Sequence, residues 1–491
     1  MSDTSLIVPV VFTPPPEAVA APRRRMPRRT KFFYGLGAVA YGVRDTSFGS
    51  FVLLFYNQVL GLPAAMAGLA LALTLVADAV LDPLIGLVSD GWRSRWGRRH
   101  PFLYAAILPA ALAHYFLWNP PAALSGNAVF WYLLAIAIAV RFCISLFEVP
   151  YAALVAEFTT DYDDRTSLLT YLFVFGWWGG LSLAVAAYAL FFRPEAGDPS
   201  GMLGRHGFAT YGLVASLVLA ASMLIAGLGT QGEIPHLARP AASQNNLATA
   251  FADLRALFAN RSVTALLISV LLLSTSQGFG NALYNYIQLF FWGLTSSQIG
   301  VLSLAPFVSA ALALAAAPWA GRGREKRDVA IALVVVAVIG QPLPMLLRLA
   351  GLFPAPGSAW LLPLLTAHSA FETFVWVMFS IVSTSMVADL VEDNQRHTQR
   401  RTEGTLFALR IFAQKAVSGL GIFVSGLALA WIGFPAEAQP GHVAAPVLHG
   451  LALTYAPVLI VLGIASAAAM RGYKVTRARH AANVSAVAKL P

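Results

Sequence analysis

The chain has 491 residues, 58% hydrophobic and only 11% charged, where soluble domains carry about 25% charged residues. This composition excludes an ordinary soluble domain and indicates a polytopic α-helical membrane protein. The net charge of +10 does not indicate nucleic acid, because the basic residues cluster between apolar stretches, where orientation rules put them. The single cysteine, Cys143, excludes an intrachain disulfide or a cysteine-rich metal site.

Residues 1–31 are rich in Pro and Arg and do not read as a cleavable signal peptide. They are expected to form a disordered cytoplasmic tail whose arginines lie near anionic head groups. A span needs about 20 apolar residues, and twelve stretches qualify. They lie near 32–58, 63–90, 101–119, 127–154, 168–192, 210–230, 263–292, 297–320, 329–350, 358–389, 405–433 and 448–471. Basic connectors (91–100, 231–261, 321–328, 391–404 and the tail from Arg471) alternate with connectors that are short or nearly free of Lys and Arg. The positive-inside rule then puts both termini in the cytoplasm. The connector 155–167 is an acidic exception between clearly placed neighbours.

The most informative stretch is 74–101, an apolar span carrying Asp78 and Asp82 that runs into Arg93, Arg95, Arg98 and Arg99. Four residues apart on a helix, the two acids share a face. A carboxylate at mid-bilayer costs roughly 2.5–3.5 kcal/mol, and two so close repel. Binding a cation or a proton relieves both problems, so the pair is a candidate coupling-ion site. The alternative is ion pairing with basic residues of neighbouring helices. The arginine-rich loops 91–100 and 321–328 read as orientation signals and clamps, with Asp90 placed to pair with Arg93, Arg98 or Arg99 on the cytoplasmic side.

Further polar residues interrupt the later spans. Arg141 and Glu148, seven apart in the fourth, share a face and can form a local bridge. The seventh span aligns Gln277, Asn281, Asn285 and Gln288 roughly on one face. Amides both donate to and accept from sugar hydroxyls, and they also bond helix to helix in membranes. In the tenth span His368 and Glu372 are four apart, which suits a proton relay or ion pair better than a structural metal site. Trp376 lies mid-span, placed to stack on a sugar ring or to pack in the core. Trp118, Trp131, Trp360 and Trp431 fall near span ends as interfacial anchors.

The chain also repeats itself. Gly61-Leu62 with Gly68 recurs as Gly293-Leu294 with Gly300, and Val155-Ala156-Glu157-Phe158 with Asp161 recurs as Val387-Ala388-Asp389-Leu390 with Asp393, both at an offset of 232 residues. Two matches at one offset argue for parallel six-helix halves, an architecture that binds substrate at mid-membrane between them. The expected division is a tail at 1–31, halves at 32–230 and 263–471 joined by a cytoplasmic linker at 231–262, and a tail at 472–491. By the offset Asp78 and Asp82 correspond to Ala310 and Leu314, so the acids belong to one half only. Glu372 corresponds to position 140, beside Arg141, which suggests an inter-half pair that breaks during transport.

Three motifs carry a family resemblance over nearly all of 32–471. They are Asp78-Ala79-Val80-Leu81-Asp82-Pro83 with Gly86 and Arg93-Ser94-Arg95-Trp96-Gly97; Ala388-Asp389-Leu390-Val391-Glu392-Asp393 with Arg401, Glu403 and Gly404; and Arg44-Asp45 in the first span. The chain resembles the major facilitator superfamily and, within it, the glycoside–pentoside–hexuronide:cation symporters. The resemblance implies that Asp78 and Asp82 bind the cation with help from the Ser145 hydroxyl. It also implies that Asp45 and Glu148 bind sugar and that Lys415 faces the acids. Departures are Leu81, where melibiose permease has an amide between the acids, Phe173 in place of an arginine and Ala152 in place of a tryptophan. Losing an oxygen ligand weakens a sodium site, so the departure at Leu81 favours protons; Arg141 is a candidate for the missing arginine's role.

The sequence therefore reads as an all-α membrane protein of twelve transmembrane helices in two pseudo-symmetric halves. It is expected to be a monomer in the bacterial inner membrane that imports a sugar, glycoside or uronide by symport with H⁺ or Na⁺. No enzymatic motif, cofactor or nucleic-acid partner is expected. Arg44, His368, Glu372 and Asp389 join the loop residues as gating or ion-pair candidates. An exporter of drugs or other small organic solutes on the same fold, or a transport-inactive sensor, are the competing readings.

Overall fold

The structure, a computed structural model, describes residues 26–159, 161–195, 197–237, 258–320, 323–398 and 419–487. Ten helices among these are long and apolar enough to cross a membrane. The first expected span is also helical but segmented, and we call it α1. It runs through Arg28–Gly37 and Val39–Thr46, then a π-helical turn at Ser47–Phe51, Val52–Leu54, and a second π-helical turn at Phe55–Val59. The other elements of the first half are α2 (Ala64–Gly91), α3 (His100–Trp118), α4 (Asn127–Phe158), α5 (Tyr162–Ala186, extended by a π-turn to Phe191) and α6 (Arg205–Thr230).

The second half contains α7 (Arg261–Tyr286, with a π-turn Ile287–Phe291) and α8 (Ser296–Leu302 and Ala305–Ala320). Then come α9 (Lys326–Gly340 and Leu343–Leu349), α10 (Leu361–Thr398) and the shorter apolar helix α11 (Gly419–Trp431). Last are α12 (Ala445–Met470) and a polar helix α13 (Arg477–Val487). The eleventh span was expected to begin at 405; the part before Gly419 lies outside the described residues.

The sequence repeat has a physical counterpart. The π-turn Phe55–Val59 is matched 232 residues later by Ile287–Phe291. Leu60 N–H donates to the Phe55 carbonyl at 3.1 Å, and Trp292 N–H to that of Ile287 at 2.9 Å. The glycines that follow, Gly61 and Gly293, have φ of +70° and +67°, a left-handed conformation that glycine enters without a Cβ clash. Helix packing repeats as well. The pairs α2–α4, α3–α4, α3–α6 and α1–α6 of the first half reappear as α8–α10, α9–α10, α9–α12 and α7–α12. Backbones meet closely where α1 crosses α5: a Cβ on Gly180 would stand 2.6 Å from the Gly42 carbonyl.

The outer face of α2 presents Val76, Val80, Leu84, Leu87 and Val88 as exposed apolar side chains, as lipid contact demands. Prolines at 83, 109, 150 and 457 sit inside the long helices, a usage tolerated where neighbouring helices re-satisfy the freed backbone groups.

The halves meet at one end of the bundle. There Asn285 Nδ2 donates to the Ser50 carbonyl at 2.8 Å, Tyr286 Oη to Asn57 Oδ1 at 2.8 Å, and Tyr188 Oη to Asn285 Oδ1 at 2.8 Å. Gln58 bridges to the Pro435 carbonyl and to the Ala438 N–H, and Ser296 N–H donates to the Ser200 carbonyl. Gly68 on α2 packs against Gly426 on α11. At the opposite end, bearing loops 91–100 and 321–328, every described ion pair joins residues of the same half. Lys31 binds Asp164, Arg98 and Arg99 bind Glu157, Lys326 binds Asp389, and Arg479 binds Asp393.

Candidate functional site

Three helices of the first half bring charge to mid-membrane. From α1, Arg44 is buried and forks between two acids. Its Nε and Nη2 donate to Asp45 Oδ1 at 3.0 and 2.9 Å, and Nη1 donates to Glu148 of α4. The guanidinium also lies 5.8 Å from the Tyr41 ring centroid. From α4, Arg141 Nε donates to Asp78 Oδ2 of α2 at 2.6 Å, with Phe48 of α1 beneath it at 5.5 Å.

The acids differ in environment. The Asp45 side chain is 70% exposed while that of Glu148 is 11% exposed, so the Arg44 pair has one open and one enclosed carboxylate. Asp78 Oδ1 is buried and accepts no hydrogen bond. Asp82 is half-buried one turn along α2, and Ser145, one turn from Arg141, is buried. Pro83 cannot donate to the Ala79 carbonyl, which leaves that oxygen without its usual helical donor beside Asp78. Among the described residues the cluster holds four carboxylates, Asp45, Asp78, Asp82 and Glu148, and two guanidiniums, Arg44 and Arg141.

Two expected pairings are replaced. Arg141 does not bridge to Glu148, because seven residues are about 10.5 Å along a helix axis, and closer partners come laterally from α1 and α2. Nor does Arg141 meet Glu372 across the halves: it is held by Asp78, while Glu372 lies 3.4 Å from His368 on its own helix.

The remaining candidates fall into separate places. Asn281 is exposed on a helix that is otherwise mostly buried. Asn285 is fully buried in the contact between halves, and Gln288 is buried in the second half, so the amide face is split between exposure and helix bonding. Trp376 packs against the core of the second half, 6.1 Å from Phe379. Lys415, with Arg401, Glu403 and Gly404 of the second motif, lies outside the described residues.

At the loop end, Arg99 Nη2 donates to Asp90 at 2.5 Å, Nη1 to Ser89 Oγ at 2.6 Å and Nε to Glu157 Oε1 at 2.8 Å. Arg98 joins Glu157 at 2.6 Å, whereas Arg93 is exposed. In the second half Asp389, the repeat equivalent of Glu157, takes Lys326 at 2.7 and 2.8 Å. The sequence does not single out Glu157 and Lys326 as site residues, although the 232-residue repeat aligns Glu157 with Asp389. Beyond the span, Asp393 accepts from Arg479 at 2.7 Å, Asn483 at 2.9 Å and Asn260 at 3.2 Å. Burial pushes its carboxyl up, but these donors outweigh burial and hold it below the usual carboxylate range.

Residues 33–477 match the family model described as MFS/sugar transport protein. An uncharacterized symporter of Synechocystis sp. is 25% identical, the match covering 83% of this chain and 86% of the relative. The isoprimeverose transporter of Lactiplantibacillus pentosus is 22% identical over 93% of this chain and 90% of its own. Among solved structures, the inward open xylose transporter XylE from E. coli superposes with a TM-score of 0.59 at 14% identity, covering 91% of this chain and 96% of that one; at this identity the likeness speaks for the fold. With a family model spanning nearly all of both halves, the chain belongs to the MFS/sugar transport protein family.

Proposed function

We propose that the protein is a secondary transporter that moves a sugar or glycoside together with a monovalent cation by alternating access. The observation that carries this reading is the Arg141–Asp78 pair with its orphaned Asp78 Oδ1, set among four carboxylates and two guanidiniums on α1, α2 and α4. A cation arriving at Asp78 and Asp82, assisted by the Ser145 hydroxyl, gives the orphaned Asp78 Oδ1 a partner. The Arg44 fork holds Asp45 exposed for sugar hydroxyls, with Glu148 behind it and Lys415 and Asn281 as further contacts. By linkage, bound cation raises sugar affinity by the factor that bound sugar raises cation affinity.

The basic loops 91–100 and 321–328 support a cytoplasmic location for their end of the bundle and, with it, for both termini. The described contacts between halves then close the outer side, an inward-facing state. The protein acts as a monomer in the bacterial inner membrane. Leu81 supplies no oxygen between the acids, which favours the proton over sodium as the coupling ion. Counterflow in reconstituted vesicles with a panel of sugars and glycosides, repeated with and without Na⁺ across a pH series, tests the reading. Exchange of at least one sugar, stimulated by acid pH without Na⁺, is expected. Efflux of lipophilic cations with no sugar exchange would overturn it.

A further inference from the structure

The second half contains a polar cavity that the Asp78 cluster does not reach. It measures about 70 Å³ and is walled by α7, α8, α9, α10 and α12. Side-chain oxygens come to it from Glu372, Gln288, Gln341, Tyr284, Tyr455 and Ser369. Two of them, Glu372 Oε1 and Gln288 Oε1, are buried and accept no hydrogen bond, although the Glu372 side chain as a whole is 32% exposed. Buried acceptors are normally satisfied, so two orphans on one small cavity point to a missing donor or cation.

The groups around Glu372 do not neutralise it. His368, on the same helix, comes within 3.4 Å, but its Nε2–H donates to the Gly340 carbonyl at 2.9 Å. The proton that would serve the carboxylate is spent on the backbone. Tyr284 on α7 and Tyr455 on α12 are the titratable groups facing it from other helices, and α8 lines the cavity with apolar Leu302. On α9, Gln341 donates to Tyr455 Oη at 3.4 Å. Arg348 of that element donates to the Phe291 carbonyl and stacks 4.3 and 5.1 Å over the Phe291 and Trp292 rings. Water alone would satisfy the orphan oxygens, since the volume suits about two molecules. It would leave the carboxylate charge uncompensated within the membrane, which is costly.

We propose that this cavity is a second monovalent-cation site, contained in the C-terminal half, with Glu372 as the charged ligand and Gln288 as a neutral one. The cation is Na⁺ held among the cavity oxygens, as hard cations require, or a proton on Glu372. Only its use in transport rests on the symport reading; the binding chemistry stands apart from it. By the repeat, α10 corresponds to α4, which lines the first cluster, so the two sites occupy related places with different acids.

The test uses the full chain in vesicles, with Asp78→Asn and Asp82→Asn removing the first site. Infrared difference spectra of carboxyl groups are recorded on exchanging choline for Na⁺ at constant pH, and across a pH series without Na⁺. One of the two arms is expected to show a carboxyl response that Glu372→Gln removes and Glu372→Asp retains, and that arm identifies the ion. Gln288→Leu, which keeps the carboxylate, is expected to shift the half-saturating ion concentration by about tenfold, as loss of one bond to a charged group would. It reports independently if Glu372→Gln does not fold. No Glu372-dependent response in either arm, with no shift in Gln288→Leu, would overturn the proposal. Wild-type counterflow is run in parallel. Ion response without sugar exchange would sink the symport reading and leave the site standing, and sugar exchange without ion response would do the reverse.

Discussion

Arg141 shows what one residue decides. Its guanidinium fixes one oxygen of Asp78 and leaves the other buried without a donor. Removing one member of a buried pair typically costs about 3–5 kcal/mol, while removing both is far milder. Arg141→Gln is therefore expected to lower thermal stability markedly and abolish coupled uptake. Adding Asp78→Asn should restore most of the stability but none of the coupling. Unfolding of the two single variants and the double variant, compared as a cycle, checks this; an additive result would contradict the pairing. The sequence marked both residues but could not pair them, because which helices adjoin is decided by packing. Helix face and the repeat offer Glu148 and Glu372 as partners for Arg141, yet α2 and α4 pack side by side and bring Asp78 nearer. The amide face of α7 divided for a similar reason: Asn281 and Asn285 share a spacing, but only Asn285 reaches the opposite half.

At the scale of elements, the loop-end ion pairs tie helices within each half. Glu157 gathers Arg98 and Arg99, and Asp389 gathers Lys326, at equivalent positions of the repeat. Asp393 goes further and anchors α13 to α10 through Arg479 and Asn483. With its carboxyl held below the usual range, the anchor's contribution is full above the unfolded carboxylate value and is lost only as pH falls through the lowered folded value. Protection of residues 477–487 from hydrogen exchange, measured against the intrinsic rate at each pH, should hold from neutral pH down into the ordinary carboxylate range. Asp393→Asn should speed exchange at neutral pH. Equal exchange in both proteins would show that α13 is held by something else. The helices themselves were largely legible, since apolar length is a strong signal in membranes. The segmentation of α1 was not, because π-turns depend on the packing around them; only the glycines at 61 and 293 announced where the two matched turns end.

For the whole molecule, the repeat in the sequence anticipated the packing repeat, but nothing in it told which end the halves would share. That is set by Asn285, Tyr286, Tyr188 and Gln58, polar residues whose partners come from the other half. A Cβ on Gly68 would lie 3.3 Å from the Gly426 Cα. At the same end a Cβ on Gly300 would lie 3.3 Å from the Tyr188 Cβ of the other half, close to disulfide range, so cysteines at Gly300 and Tyr188, introduced after replacing Cys143, should cross-link in the resting carrier and stop transport reversibly; failure to cross-link would contradict the closed end described above. The most direct measurement of the central claim is sugar uptake into vesicles driven by an imposed H⁺ or Na⁺ gradient, in wild type, Asp78→Asn and Asp82→Asn. Gradient-driven accumulation is expected in the wild type and should vanish in both variants, while passive sugar counterflow persists at a reduced rate. Accumulation that ignores both gradients, or that survives loss of Asp78 and Asp82, would contradict the assignment of these acids to cation coupling.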